Sequence, residues 1–231
     1  MSITRFTRAV RRLGLSLACL GLLVSAFSAC SGGGSPGGED PSVPMIYAAT
    51  AAGLSVSADG GVTWVTYDYS NTGYFDCDAL NDVLVAGGAV FVATQSGGLE
   101  ISKDACSTWV NYPYYSGGTT CIGSSCVYGA LVDGTRVYVA TNGGVSVGSL
   151  SDSYISWTTY NQATNGLASD GVYNGYKDGS RLYAATWQGL SISTDGGTTW
   201  SAPASSPTVE ANGTVLDVWA SGNTIYAATY G

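Results

Sequence analysis

Internal repetition is the strongest constraint on this chain. Residues 182–200, LYAATWQGLSISTDGGTTW, read as a strand, a turn, a second strand, an Asp-Gly-Gly turn and the start of a further strand ending on a large aromatic. The pattern recurs as IYAATAAGLSVSADGGVTW at 46–64. Looser copies are VFVATQSGGLEISKDACSTW at 90–109 and VYVATNGGVSVGSLSDSYISW at 137–157, and a partial one, IYAATYG, occupies 225–231. The Ala-Thr pair begins at 49, 93, 140, 185 and 228, in steps of 44, 47, 45 and 43 residues. A period in the forties that contains four short strands is the signature of propeller blades, sheets that bury their faces only against their neighbours. The expectation is an all-β chain, a β-propeller of four-stranded antiparallel blades over 45–231, with about four to five blades present.

In the clearest unit, residues 171–177 are expected to form strand one and Asp178-Gly179-Ser180 its hairpin turn. Residues 181–186 form strand two, 190–193 strand three, and strand four starts at Thr199. No segment after residue 30 has a helical period, so helix is not expected there. The first unit opens at strand two, near Met45, and the last stops after strand two. Seventeen strands result, one more than a closed four-blade ring needs and too few for five full blades. The array is therefore expected to be truncated, or completed by a partner strand, with a Gly-Leu-Ser-x-Ser-x-Asp-Gly-Gly-like stretch following Gly231.

Charged residues make up 10% of the chain, against about 25% in ordinary soluble domains. All 16 acidic residues lie after position 30, whereas four of the eight basic ones (Arg5, Arg8, Arg11, Arg12) precede it. The chain beyond residue 30 thus has only Lys103, Arg136, Lys177 and Arg181 against 16 acids, a net −12. Four scattered cations make no basic footprint, which excludes nucleic acid as a partner and leaves no direct attraction to anionic membranes.

The first 29 residues read as targeting information: a basic start, then the apolar run 13–27, short for a membrane span. Phe27-Ser28-Ala29-Cys30 resembles the lipobox of bacterial lipoproteins. That resemblance implies cleavage before Cys30 and a diacylglycerol, with fatty chains such as palmitate, on its sulfur; an ordinary signal peptide or an uncleaved anchor are the other readings. Residues 30–44 then form a flexible Gly/Ser/Pro tether. Ser31 after the modified cysteine favours outer-membrane sorting. The protein is accordingly expected in the bacterial envelope, periplasmic or surface-facing, held to the membrane only through its lipid.

Export places Cys77, Cys106, Cys121 and Cys126 in an oxidising compartment, where an even number suggests two disulfides. Three pairings are possible; Cys121 and Cys126 can close a small loop, which leaves Cys77 with Cys106 by elimination, although the strand topology places those two on opposite faces. The chain has no histidine and no zinc-type spacing, so neither a metal nor another cofactor is expected.

The turn between strands three and four carries a recognisable motif. Ser57-x-Asp59-x-Gly61-x-Thr63-Trp64 and Ser193-x-Asp195-x-Gly197-x-Thr199-Trp200 resemble the Asp-box, or BNR repeat, of sialidases, sortilin-type receptors and a photosystem II assembly factor. Ser102, Asp104 and Trp109 keep the pattern with Cys106 in the glycine slot, and the third unit keeps only Trp157. The resemblance implies a structural role, in which the Asp accepts turn N–H bonds and the Trp is buried between sheets. Sialidases hold a carboxylate with three arginines, whereas only Arg136 and Arg181 remain here, at equivalent repeat positions. Ser-His-Asp chemistry is excluded by the lack of histidine. Carboxylate pairs such as Asp76/Asp78 or Asp170/Asp178 are the residues an alternative, a fragment of a propeller glycoside hydrolase of sialidase or xyloglucanase type, would have to use.

A binding function fits better. The two-to-three and four-to-one loops share one end of the array, and they are rich in aromatics: Tyr67, Tyr69, Tyr74 and Phe75, then Tyr112, Tyr114 and Tyr115. The variable slot after Ala-Thr holds Gln95, Asn142, Trp187 and Tyr230. Such a surface suits protein contacts or stacking on sugar rings, although several of the tyrosines could simply cap the sheets. The sequence therefore points to a non-catalytic envelope scaffold for a protein or glycan ligand. Cys30→Ser is expected to abolish metabolic fatty-acid labelling and release the protein from membranes; persistent labelling would remove the lipobox from the reading.

Overall fold

The computed structural model describes residues 45–72, 79–114, 121–151, 153–203 and 213–230. The signal and tether segments with Cys30, together with Tyr74, Cys77, Asp152 and Tyr115, lie outside the described residues. Five antiparallel sheets succeed one another along the chain. The first holds β1 (Ile46–Thr50), β2 (Gly53–Ser57) and β3 (Val65–Tyr67), and the second β4 (Leu80–Ala86), β5 (Ala89–Thr94), β6 (Leu99–Ser102) and β7 (Val110–Tyr112). The third holds β8 (Val127–Asp133), β9 (Arg136–Thr141), β10 (Gly144–Ser149) and β11 (Thr158–Tyr160). The fourth has β12 (Val172–Asp178), β13 (Arg181–Thr186) and β14 (Gly189–Ser193), and the fifth β15 (Val215–Ser221) and β16 (Thr224–Thr229). The chain is an all-β propeller array. One-turn helices α1 (Tyr69–Thr72) and α2 (Gln162–Asn165) come after the first and third sheets.

Two details differ from the sequence expectation. The described residues form 16 strands rather than 17, because strand four of the fourth unit shrinks to one bridge between Ile192 and Ser201. The two helical turns left no periodic signal in the sequence, because one turn is too short to have a period. Instead α2 is set by a cap, Asn161 Oδ1 accepting the Thr164 N–H at 3.0 Å, and by Gly166 in the left-handed region.

Each sheet has two different faces, and the side-chain alternation of strand two assigns them. Val90 and Val92 pack backwards into a core with Tyr47, Ala49, Leu54 and Val56 of the first sheet. Phe91 and Ala93 pack forwards against Val127, Val137 and Val139 of the third. The same registry unites the third sheet with the fourth through Tyr138, Ala140, Leu182 and Ala184, and the fourth with the fifth through Tyr183, Ala185, Val215 and Val218. The tryptophans after the three-to-four turn reach backwards: Trp109, Trp157 and Trp200 are buried, each in the core shared with the preceding sheet. Trp64, expected to be buried like them, is 38% exposed because it faces away from the second sheet. At the other end, Tyr226 takes the place of Tyr47, Phe91, Tyr138 and Tyr183 and is 60% exposed, where those are 1–6%. Among the described residues β15 pairs with β16 alone and no core cluster joins the first sheet to the fifth, so β15 does not close a four-blade ring.

The Ala-Thr pair that sets the period has a specific task. Thr94, Thr141 and Thr186 are fully buried. Each hydroxyl donates across the two-to-three turn to the carbonyl of Gly98, Gly144 or Gly189 at 2.9, 2.9 and 2.7 Å. Each also accepts a turn N–H, from Gly97, Gly143 or Gln188 at 2.8, 3.0 and 3.3 Å. Glycine closes the turn because Gly98 and Gly144 have φ of 95° and 119°, and a Cβ there would run into the carbonyl oxygen of Tyr112 or Tyr160 on strand four.

The cysteines correct the disulfide expectation. Cys121 and Cys126 are not joined. The segment that carries them is tied to its neighbours along its length: Gly123 N–H donates to Ser146 Oγ at 2.8 Å, Cys126 N–H to Ser124 Oγ at 3.2 Å, and the Cys126 carbonyl accepts the Asn142 N–H at 3.1 Å. Those bonds hold the segment open where a disulfide would have drawn it into a ring. Cys106 is buried in the core between the first two sheets, and its expected partner Cys77 lies outside the described residues. No helix among the described residues is long and apolar enough to cross a membrane.

Thr186→Val keeps the shape and strands both turn groups, so it is expected to cost about 1–3 kcal/mol in denaturant unfolding. Thr229→Val, at the exposed counterpart, is expected to change stability by less than about 0.5 kcal/mol.

Candidate functional site

The hairpin end of the sheets carries the Asp-box turns. Ser57 Oγ donates to Asp59 Oδ1 at 2.8 Å and accepts the Gly61 N–H at 2.8 Å. Asp59 then takes the N–H groups of Val62 and Thr63 and the Thr63 hydroxyl at 3.0, 2.8 and 2.6 Å, and Trp64 Nε1 donates to the Gly61 carbonyl at 3.0 Å. Ser193, Asp195, Gly197, Thr199 and Trp200 repeat this arrangement bond for bond. In the second unit the network survives around Ser102 and Asp104, with Thr108 donating at 2.8 and 2.5 Å. Ala105 and Cys106 occupy the glycine slots at φ 56° and 69°, a left-handed geometry that is strained for both. The third unit has lost the Asp-box motif, and the buried Trp157 Nε1 has no acceptor among the described residues.

These bonds hold the carboxylates ionised. The Thr63 hydroxyl, then the Thr63 N–H and the Ser57 hydroxyl, lower Asp59 from 3.8 to about 2; Thr199 and Ser193 do the same for Asp195, to about 2, and Thr108 and Ser102 lower Asp104. Every Asp-box carboxylate is thereby engaged by its own turn.

The same end gathers the cations, three of which link blades. Lys103 Nζ donates to the Leu150 carbonyl of the next unit at 3.2 Å, Arg136 Nη1 to the Gly196 carbonyl in the next Asp-box at 3.4 Å, and Lys177 pairs with Asp133 at 3.0 Å. Arg136 and Arg181 open equivalent strands in successive sheets and do not converge. Of the acid pairs, Asp170 precedes β12 and Asp178 ends it, more than about 20 Å apart along an extended strand, well beyond the ~5–9.5 Å of glycosidase pairs. Asp170 Oδ1 accepts the Gln162 N–H at 2.6 Å and Asp178 Oδ2 the Gly222 N–H at 2.7 Å. Asp76 and Asp78 lie outside the described residues. Among the described residues no group of three or more acidic or sulfur ligands could hold a metal.

The opposite end forms a rim. There Gln95, Asn142, Trp187 and Tyr230 occupy one position in successive sheets, and each donates its backbone N–H to the residue before or near strand one: Ala79, Cys126, Gly171 and Thr214, at 2.9, 3.1, 2.9 and 2.9 Å. All four side chains are exposed, with Trp187 at 41% and Tyr230 at 63%. Tyr69 lies on α1 and Tyr114 just after β7, both exposed. Tyr112, expected with them, belongs to the core: it is 1% exposed, its hydroxyl accepts the Ile155 N–H at 3.0 Å, and its ring meets Trp157 edge-on at 5.5 Å. Tyr67 likewise packs against the core between the first two sheets.

Two rim residues escaped the sequence reading. Tyr128 and Tyr173 sit at a bulge in strand one, where the register slips between Val127 and Gly129 and between Val172 and Asn174. The bulge brings their rings together across two blades, 5.0 Å apart, and Tyr173 lies 6.1 Å from Trp187. The available signal was the Val-Tyr pair repeated 45 residues apart, at 127–128 and 172–173.

No protein-family model and no curated protein matches the chain. Solved structures do. The extracellular domain of BT3049, a two-component system from B. thetaiotaomicron, superposes with a TM-score of 0.62 at 20% identity over 82% of this chain and 25% of its own. YCF48 from Cyanidioschyzon merolae gives 0.55 at 12% identity over 79% of this chain and 62% of its own, and an ancestral GH74 enzyme 0.51 at 21% over 70% and 22%. The chain thus spans about a quarter of the length of the first of these. At such identities the likeness is one of fold.

Because Asp59 and Asp195 have lower values folded than unfolded, they stabilise the fold fully above pH 3.8 and lose that contribution as pH falls from 3.8 towards about 2. Thermal unfolding measured across pH 2–6 is expected to show a fall in Tm below about pH 4 that flattens in the Asp59→Asn/Asp195→Asn double variant.

Proposed function

We propose that this chain is a non-catalytic, extracytoplasmic propeller, lipid-anchored through Cys30, that holds a protein or glycan ligand on the rim formed by its two-to-three and four-to-one loops. One observation carries the reading. The same backbone hydrogen bond fixes Gln95, Asn142, Trp187 and Tyr230 at one rim position, yet their side chains differ completely and are all exposed. A repeat that keeps its backbone constant and varies one exposed side chain is built like a scaffold presenting a surface.

Charge and chemistry support the reading. The opposite end uses its Asp-box carboxylates and three of its four cations within the fold, whereas the rim keeps spare hydrogen-bonding and aromatic groups in Gln95, Asn142, Trp187 and Tyr230. The likeness to extracellular domains of one- and two-component systems agrees with an export signal, and with a place in the envelope facing the periplasm or the outside.

The test is capture from a solubilised envelope fraction by the immobilised full chain, compared with Asn142→Ala/Trp187→Ala. A retained protein or glycan lost with the double variant, at unchanged Tm, is the expected outcome; equal retention by both would move the binding function off the rim.

A further inference from the structure

Tyr128, Tyr173 and Trp187 follow one another from the third blade to the fourth as a twisted aromatic strip, with ring-to-ring steps of 5.0 and 6.1 Å and successive ring planes inclined by 59° and 39°. The last ring is firmly seated. The Trp187 N–H is bonded to the Gly171 carbonyl at 2.9 Å, its own carbonyl accepts the Thr214 hydroxyl at 3.0 Å, and its indole lies over Gly171 so closely that a Cβ there would fall 2.5–2.7 Å from three ring atoms. Glycine at 171 therefore makes room for the indole, while 41% of Trp187 remains exposed. By the repeat relation that sets Trp187 beside Tyr173, Asn142 stands beside Tyr128: its N–H reaches the Cys126 carbonyl, two residues before Tyr128. The strip thus has an indole at one end and an exposed amide, donor and acceptor together, at the other.

We propose that this strip is a subsite for a neutral oligosaccharide, whose pyranose rings stack on Trp187, Tyr173 and Tyr128 while a hydroxyl bonds the Asn142 amide. The proposal rests on the rim being the binding surface and names the ligand class. Three observations choose this class. Steps of 5.0 and 6.1 Å are on the scale of successive sugar units, and stacking on fixed rings costs little side-chain entropy. All four cations beyond residue 30 lie at strand ends of the hairpin side, at 103, 136, 177 and 181, so nothing on the strip answers a sulfate, phosphate or carboxylate. The strip is also narrow: three partly covered rings offer a few hundred Å2 at most, short of the roughly 800 Å2 per partner of a stable protein interface.

The experiment is affinity electrophoresis and tryptophan-fluorescence titration of the full chain with cellohexaose, mannohexaose, laminarihexaose and xyloglucan oligosaccharides, with heparin and polygalacturonate as anionic controls. Binding to at least one neutral glycan is expected. Trp187→Ala should weaken it roughly tenfold or more, and Tyr128→Ser by several-fold; Val62→Ser, exposed at the opposite, hairpin end, should leave it unchanged. The exposed position of Trp187 keeps its variant foldable, and Tyr128→Ser provides a second route. Preference for an anionic glycan, or neutral binding indifferent to both strip variants, overturns the proposal. If no neutral glycan binds while the chain captures an envelope protein in a Trp187-dependent way, the sugar subsite is wrong and the rim reading stands. Failure of both experiments removes both.

Discussion

A buried threonine hydroxyl that serves as donor and acceptor within one turn is the interaction on which the rest of this structure depends. It lets Thr94, Thr141 and Thr186 satisfy the turn groups without help from the next side chain. The next residue is therefore released from any structural duty. Its backbone is bonded to the start of strand one, and its side chain can be glutamine or asparagine, or tryptophan where a glycine such as Gly171 makes room for the ring. The exposed rim exists because the buried hydroxyl completes the turn beneath it.

The two ends of the array divide their tasks by the same logic. At the hairpin end, side chains are consumed by structure: Asp-box carboxylates bind their own turns, and Lys103, Arg136 and Lys177 reach to adjoining units. At the rim end, a repeated backbone bond holds the variable slot, helped by a few side chains such as Asn81 and Thr214, and the slot's own side chains are spared. An acidic, cation-poor chain can thus hold its blades together with its few positive charges and still present a rim that carries no cation.

The fold was largely legible in the sequence because a repeat displays each structural requirement several times. Ala-Thr spacing located the sheets, and Asp195-Gly196-Gly197 marked the turn that the structure shows in full. The features that stayed hidden depend on comparison between neighbours. The exposure of Trp64 comes from the direction its sheet faces, and no single motif states that. Cys121 and Cys126 were paired on proximity in sequence, whereas bonds from Gly123 and Cys126 to surrounding groups decide their separation. Tyr128 and Tyr173 were missed because a bulge turns the expected alternation over by one residue, and a bulge leaves no composition to read. Of the rim, aligning the units reveals both the variable slot and the repeated Val-Tyr pair, but that the tyrosines lie beside the slot follows only from the bulge in strand one.

The two-faced sheet has a consequence for how such a molecule can change over generations. Each unit of some 45 residues brings one surface that fits the unit before it and one that fits the unit after it, in a fixed order of small and large side chains. A gene segment of that length, copied and pasted in phase, arrives with both of its docking surfaces already matched to any site in the array. Such a change remakes one interface between units, leaves the contacts at the others as they were and adds one new position at the variable slot, so that recognition can be extended by duplication before any point mutation is selected.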